Sequence, residues 1–334
     1  MTKLRALYIL DPNPYEWIYG PSERADINTL VDVIAPQQTA QSIREHPELL
    51  RDVDVILSGW GAPEIDAAFL DQAPQLKAVF YGAGSIRGIV DHAFWQRGCV
   101  ITSAYGANAV PVAIYTLAQI LFSLKHGWRY ALELKRTHQY PERETMDMPG
   151  TYTSSVGIIS IGMVGRQVCD LLKPFGLKVL AYDPFATPEA AQALGVELCT
   201  LDDIFRRSDV VSLHTPWLKE TEGMITGAHF AAMKKGAAFI NTARGAIVRE
   251  EEMIAVLQQR PDLFAVLDVV YPEPPAPDSP LYTLPNVIVT PHIAGAVGTE
   301  CQRMGRYMVE ELTRYLHGEP LQWGITEQQA KVLA

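Results

Sequence analysis

A chain of 334 residues carries enough apolar material for two domains of ordinary size, each with its own core. Hydrophobic residues at 48% and charged residues at 20% exclude a disordered or fibrous chain. The formal net charge of −10, with no Lys/Arg stripe, argues against a sequence-independent grip on nucleic acid but leaves room for one cationic pocket. Cys99, Cys169, Cys199 and Cys301 have neither metal-ligand nor redox-pair spacing, so no metal is expected. Cys169 reads as a small apolar core residue. Lys3 and Arg5 lead straight into a short strand-like run, unlike a signal peptide. No apolar stretch reads as long enough to cross a bilayer. The expectation is a cytoplasmic protein without a membrane partner.

The first hundred residues alternate short apolar runs with helical patterns. Residues 4–10, 30–35, 54–58, 77–81 and 99–103 read as strands, and 40–50 and 63–70 as helices. Such alternation implies βαβ units and a mainly parallel sheet. A single long helix is expected from about 108 to 137, with an apolar middle at 112–124 suggesting burial on more than one side, within the chain or against a second subunit. Residues 139–153, rich in Pro, Met and charge, read as a loop.

From residue 155 the alternation restarts. Strands are expected at 155–160, 178–182, 209–213, 237–241, 264–268 and 287–290, with helices at 164–175, 188–194, 201–206, 227–233 and 250–259 between them. Six strands with helical crossovers match a Rossmann fold. A last helix, about 298–317, and the tail after it are expected to return to the first domain. The fold class is thus α/β.

Ser160-Ile161-Gly162-Met163-Val164-Gly165 follows a strand and opens a helix, which gives most of a G-x-G-x-x-G turn. Gly162 would let backbone approach a pyrophosphate, and Gly165 would let the helix pack closely on the strand. Ser160 occupies the first glycine position, so it must adopt an unusual dihedral or tilt the turn. Asp183 ends the next strand, where a carboxylate can accept ribose hydroxyls and would repel a 2′-phosphate. NAD is therefore expected over NADP. By itself Asp183 reads more readily as a turn residue before Pro184, but beside the glycine turn the cofactor reading is the better one.

Ligands of a doubly wound sheet sit beyond the carboxyl ends of its strands. There the chain places His214-Thr215-Pro216, Asn241-Thr242-Ala243-Arg244-Gly245, Asp268 with Glu273, and Thr290-Pro291-His292-Ile293-Ala294-Gly295. Arginine can hold a carboxylate through two parallel hydrogen bonds. Histidine exchanges protons near neutral pH, and a neighbouring carboxylate would fix its orientation. Each residue alone has a duller explanation as a loop pin, a solvated turn charge or a strand cap. Their joint placement favours Arg244, Glu273 and His292 as a catalytic set.

In these stretches, and in Tyr81-Gly82-Ala83-Gly84 and 108–113, the sequence resembles the D-isomer-specific 2-hydroxyacid dehydrogenases over most of its length. The resemblance implies two Rossmann-like domains, with the cofactor domain (104–292) inserted into a substrate domain (1–103 and 293–334). It implies that Arg244 binds the substrate carboxylate and carbonyl, His292 is the acid/base, and Glu273 is its partner. Substrate would also meet the amides of Gly82, Ala83 and Gly84. NAD would contact Gly162, Met163, Val164, Gly165, Asp183, Thr215, Pro216, Thr242, Ala243, Arg244, Asp268, His292 and Gly295. Members are usually homodimers joined through their cofactor domains. This chain departs from the pattern at Ser160, at Ser85-Ile86-Arg87, and at Ile114-Tyr115, where a glutamate and a histidine are frequent.

The implied activity is hydride transfer between NAD(H) and C2 of a small 2-hydroxy or 2-keto acid. Rival readings are a dehydrogenase of another small donor such as phosphite, an NAD-sensing binding protein resembling a corepressor, and an enzyme crippled at Ser160. Glu273 disfavours a formate enzyme, whose relatives use glutamine there.

Overall fold

A computed structural model describes residues 3–142 and 147–332. The chain divides into two compact units, 1–109 with 296–334, and 110–295. Thirteen strands lie among the described residues: β1 (Arg5–Ile9), β2 (Asp32–Val33), β3 (Val55–Ser58), β4 (Ala78–Tyr81), β5 (Val100–Ser103), β6 (Ser155–Ile159), β7 (Lys178–Tyr182), β8 (Glu197–Leu198), β9 (Val210–Leu213), β10 (Ala238–Asn241), β11 (Phe264–Leu267), β12 (Val287–Val289) and β13 (Gly324–Ile325).

In the first unit the strand order is β13-β5-β4-β3-β1-β2. All pairs are parallel except β13, which runs antiparallel to β5 through Gly324↔Thr102 and Ile325↔Ile101. The strands are apolar runs because both faces are covered. Ala6, Tyr8, Val55, Leu57, Ala78 and Phe80 face one cluster, while Leu7, Ile9, Ile56, Val79 and Tyr81 face another, the two-residue period of a pleated strand. Met304, Met308 and Leu312 of the helix Glu300–His317 seal the first cluster. The C-terminal segment thus returns to this unit, as expected.

Several details differ from the sequence expectation. The helix expected over 40–50 ends at Glu45 before a 3-10 turn, the one expected over 63–70 is Ala67–Gln72, and His92–Gln96 is a helix not anticipated. Residues 30–35 yield only the two-residue β2, because Leu30 closes the helix Pro21–Leu30 and β2 is an edge strand paired on one side. The helices Pro12–Ile18 and Pro21–Leu30 were not anticipated, although each carries proline at its start. Strand β13 was missed because two residues are too few for a period.

The second unit has the order β12-β11-β10-β9-β6-β7-β8, parallel throughout. After β8 the chain crosses to the other side of β6, so the switch point lies at the carboxyl ends of β6 and β9. There are seven strands rather than six, the addition being the short edge strand β8.

The expected helix over 108–137 is two, Tyr105–Leu124 and Gly127–Thr137, parted where His126 takes a φ of 49°. Such a φ interrupts the helical ladder. Another expectation also fails, since Tyr105–Leu124 is long and apolar enough to cross a membrane by length and composition. The apolarity has a use inside the protein: Ala113, Ile120 and Leu124 pack with Val156, Ile158 and Val210. Part of the expected loop, 143–146, lies outside the described residues.

Candidate active site

Strand β6 ends at the turn carrying Ser160, and the ten-residue helix Met163–Leu172 starts from Gly162. Ser160 does take the unusual dihedral, with a φ of 71°. A Cβ on Gly165 would stand 2.1 Å from the Ser160 carbonyl oxygen, so the helix meets the turn backbone to backbone. A Cβ on Gly162 would meet nothing within 4 Å. The helix carries neither a capping side chain nor an acidic residue in its first turn. Its first amides are thus left without a capping side chain, with room beside Gly162, a setting that fits a pyrophosphate. Met163 is partly exposed at the same place.

Asp183 follows β7. One carboxylate oxygen accepts from the Ile161 amide at 2.9 Å and the Ser160 hydroxyl at 3.4 Å, and the other from the Phe185 amide at 2.9 Å. The carboxylate thus ties the turn at Pro184 to the glycine turn. Arg166 clasps that turn from its other side by donating to the Ile161 carbonyl at 2.8 Å, a contact the motif did not reveal.

Beyond β9, His214 bonds through Nε2 to Ser212 Oγ at 3.0 Å, and burial pushes its pKa down to about 3. It is a neutral group in the fold. Thr215 next to it is buried, as is Thr242 after β10. The loop after β10 is folded by Asn241, whose side chain accepts from the Ala243 amide at 3.0 Å and donates to the Arg244 carbonyl at 3.1 Å. Arg244 donates to the Ala243 carbonyl at 2.6 Å. Desolvation lowers its pKa, an effect opposed by the charge of Glu273. An arginine in this state remains charged, and a charged guanidinium suits a carboxylate ligand.

Asp268, 2% exposed after β11, accepts from Thr290 Oγ1 at 2.6 Å and from the Ile293 and Ala294 amides at 2.9 and 2.8 Å. The His292 amide donates to the Asp268 carbonyl at 3.0 Å. All these bonds hold the loop after β12 in place, and within it His292 has a φ of 54°. The imidazole Nδ1 lies 2.7 Å from Glu273 Oε1, with both side chains partly exposed. The structure therefore joins two of the three expected catalytic residues directly and couples the third to Glu273 by charge. Pro216, Ala243 and Gly295 lie at the same strand ends, half-buried, and Val164 is half-buried on the first turn of its helix.

In the first unit, Gly82, Ala83 and Gly84 follow β4. Ser103 Oγ donates to the carbonyl of Ala83 at 2.9 Å and to that of Gly84, fixing the loop. Among the described residues no three His, Cys, Asp or Glu side chains gather as they would around a metal ion.

A family model described as "D-isomer specific 2-hydroxyacid dehydrogenase, NAD binding domain" matches residues 117–294. The chain is 33% identical over 260 residues to D-3-phosphoglycerate dehydrogenase of Archaeoglobus fulgidus, covering 77% of this chain and 49% of that protein. It is 32% identical over 278 residues to glyoxylate reductase of Korarchaeum cryptofilum, covering 81% of this chain and 82% of that one. The chain spans about half the length of the phosphoglycerate dehydrogenases it matches. Among solved structures, apo D-mandelate dehydrogenase of Rhodotorula graminis superposes with a TM-score of 0.81 at 25% identity, over 97% of this chain and 98% of that one. With its two parallel sheets, its glycine turn and these likenesses, the chain belongs to the family of NAD-dependent, D-isomer specific 2-hydroxyacid dehydrogenases.

Proposed function

We propose that this protein interconverts a small 2-keto acid and its D-2-hydroxy acid with NAD(H). The contact that carries this reading is the 2.7 Å pairing of His292 Nδ1 with Glu273 Oε1 in the loops that follow β12 and β11. The cofactor would be held by the amides at Gly162–Gly165, by Asp183, and by the strand-end segments Thr215–Pro216, Thr242–Ala243 and Gly295. Bound nicotinamide supplies or accepts the hydride at substrate C2.

Arg244 would bind the substrate carboxylate and polarise the carbonyl oxygen. His292, with Nδ1 engaged by Glu273, would present Nε2 to that oxygen, giving a proton during reduction and taking it back during oxidation. Glu273, bonded to Nδ1, would orient the ring. In the first unit, the amides of Gly82, Ala83 and Gly84 would be the groups that contact the substrate. Glyoxylate and hydroxypyruvate are the first substrates to try, since one relative is a glyoxylate reductase.

The test is NADH oxidation against a panel of 2-keto acids, with product stereochemistry determined. H292A is expected to lose about 10²- to 10⁴-fold in kcat. Full turnover by H292A would end the proposal.

We also propose a homodimer joined through the cofactor-binding unit, in a reducing compartment such as the cytoplasm. No residue of the helix Gly127–Thr137 is buried. Beside it a groove of about 1030 Å³, lined by Leu132, Leu281, Leu284 and Val289, runs along the edge strand β12. A groove of this size, whose lining also includes Arg129, Glu133, Arg136, Glu273 and His292, offers a second copy both apolar and charged contacts. The four cysteines are free.

A further inference from the structure

The helix Tyr105–Leu124 contributes none of the expected catalytic residues, yet two neighbouring side chains on it reach the loops that carry them. Thr116 Oγ1 lies 2.9 Å from Thr242 Oγ1, in the segment leading to Arg244. Tyr115 Oη lies 2.8 Å from Thr290 Oγ1, in the segment leading to His292. Successive helical residues point about 100° apart, so one turn of helix can brace two loops.

The Tyr115 contact has a direction. Thr290 commits its hydroxyl hydrogen to Asp268 Oδ1 at 2.6 Å, so Tyr115 must be the donor to Thr290. Burial raises the pKa of Tyr115, so its hydroxyl keeps the proton it donates. The result is a chain of hydrogen bonds from Tyr115 through Thr290 to a buried carboxylate, in which each bond polarises the next. Asp268 receives the Ile293 and Ala294 amides on the far side of His292. The histidine, held at a φ of 54°, therefore sits in a loop pinned before and after it. An L-residue persists in that conformation only where its surroundings over-determine it.

We propose that Tyr115 is a positioning residue for His292, acting through Thr290 and Asp268 to set the imidazole against Glu273. The inference rests on the acid/base role assigned to His292 above. Tyr115 occupies one of the positions where this chain departs from its family's common residues, and the structure gives the departure a task.

The experiment uses the full-length protein with NADH, and glyoxylate and hydroxypyruvate as probes. Y115F removes one oxygen atom. Its kcat is expected to fall about 10-fold, with KM within about two-fold, because a displaced acid weakens chemistry more than binding. T290V should cause a similar loss, and the double variant should be no worse than T290V, as expected for residues in one chain of bonds. Independently of turnover, NMR of histidine-labelled protein, with the His292 ring assigned through H292Q, should show its signals displaced in Y115F and T290V. They should stay in place in T116V.

Unmoved His292 signals in both Y115F and T290V, or equal displacement in T116V, would overturn the proposal. If the wild type oxidises NADH with neither probe, the functional reading fails for those substrates, and the ring signals alone decide whether Tyr115 positions His292. Should Y115F fail to fold, T290V carries both measurements.

Discussion

Ser160 keeps a left-handed backbone at a position where glycine would be unstrained. The strain is local and measurable: S160G is expected to raise stability by roughly 1 kcal/mol, read as a higher urea midpoint. The serine hydroxyl also contributes a 3.4 Å contact to Asp183, which the same substitution would remove. If Asp183 sets the cofactor preference, the wild type should bind NADH more tightly than NADPH in fluorescence titration. D183N should narrow that gap. Equal binding of the two by the wild type would refute the assignment.

His214 makes a second residue-scale prediction. The folded site stays neutral down to about pH 3, whereas an exposed histidine takes up a proton near pH 6.5. Protons thus favour the unfolded chain throughout that window, and stability should decline as pH falls below about 6.5. H214Q should lose this part of the slope when urea midpoints at pH 7 and pH 5 are compared.

At the scale of elements, the helix Gly127–Thr137 is the clearest case of a structure awaiting a neighbour. Its sequence alternates Leu132 and Leu134 with Glu133, Lys135 and Arg136, and none of its residues is buried. L134E should shift the protein toward monomer in light scattering if this helix joins two copies, whereas Leu132 packs against the chain's own core. A wild-type protein that is already monomeric at micromolar concentration would contradict the proposed interface. Elsewhere the legibility of elements followed their setting. The central strands β6, β9 and β10 are continuous buried runs and stood out in the sequence, whereas β2, β8 and β13 have two residues each and sit at sheet edges. An edge strand is made by its pairing partner more than by its own periodicity. The break at His126 left little mark because residues on both sides of it keep a helical pattern.

Across the whole molecule, sequence alone determined the α/β class, the restart of the alternation near residue 155, the return of the C-terminal helix to the first unit, and the residue types at each strand end. These are local properties, written in apolar periods and in turn residues beside them. Tertiary structure decided the rest: that Glu273 reaches His292, that Asp268 spends its carboxylate on the loop after β12, and that Tyr115 and Thr116 brace two loops far from them in the chain. Tyr115 and Thr290 are 175 residues apart, and Thr116 and Thr242 are 126 apart. No local pattern encodes a contact over such a separation. It exists only once parallel strands and their crossovers have brought the ends together.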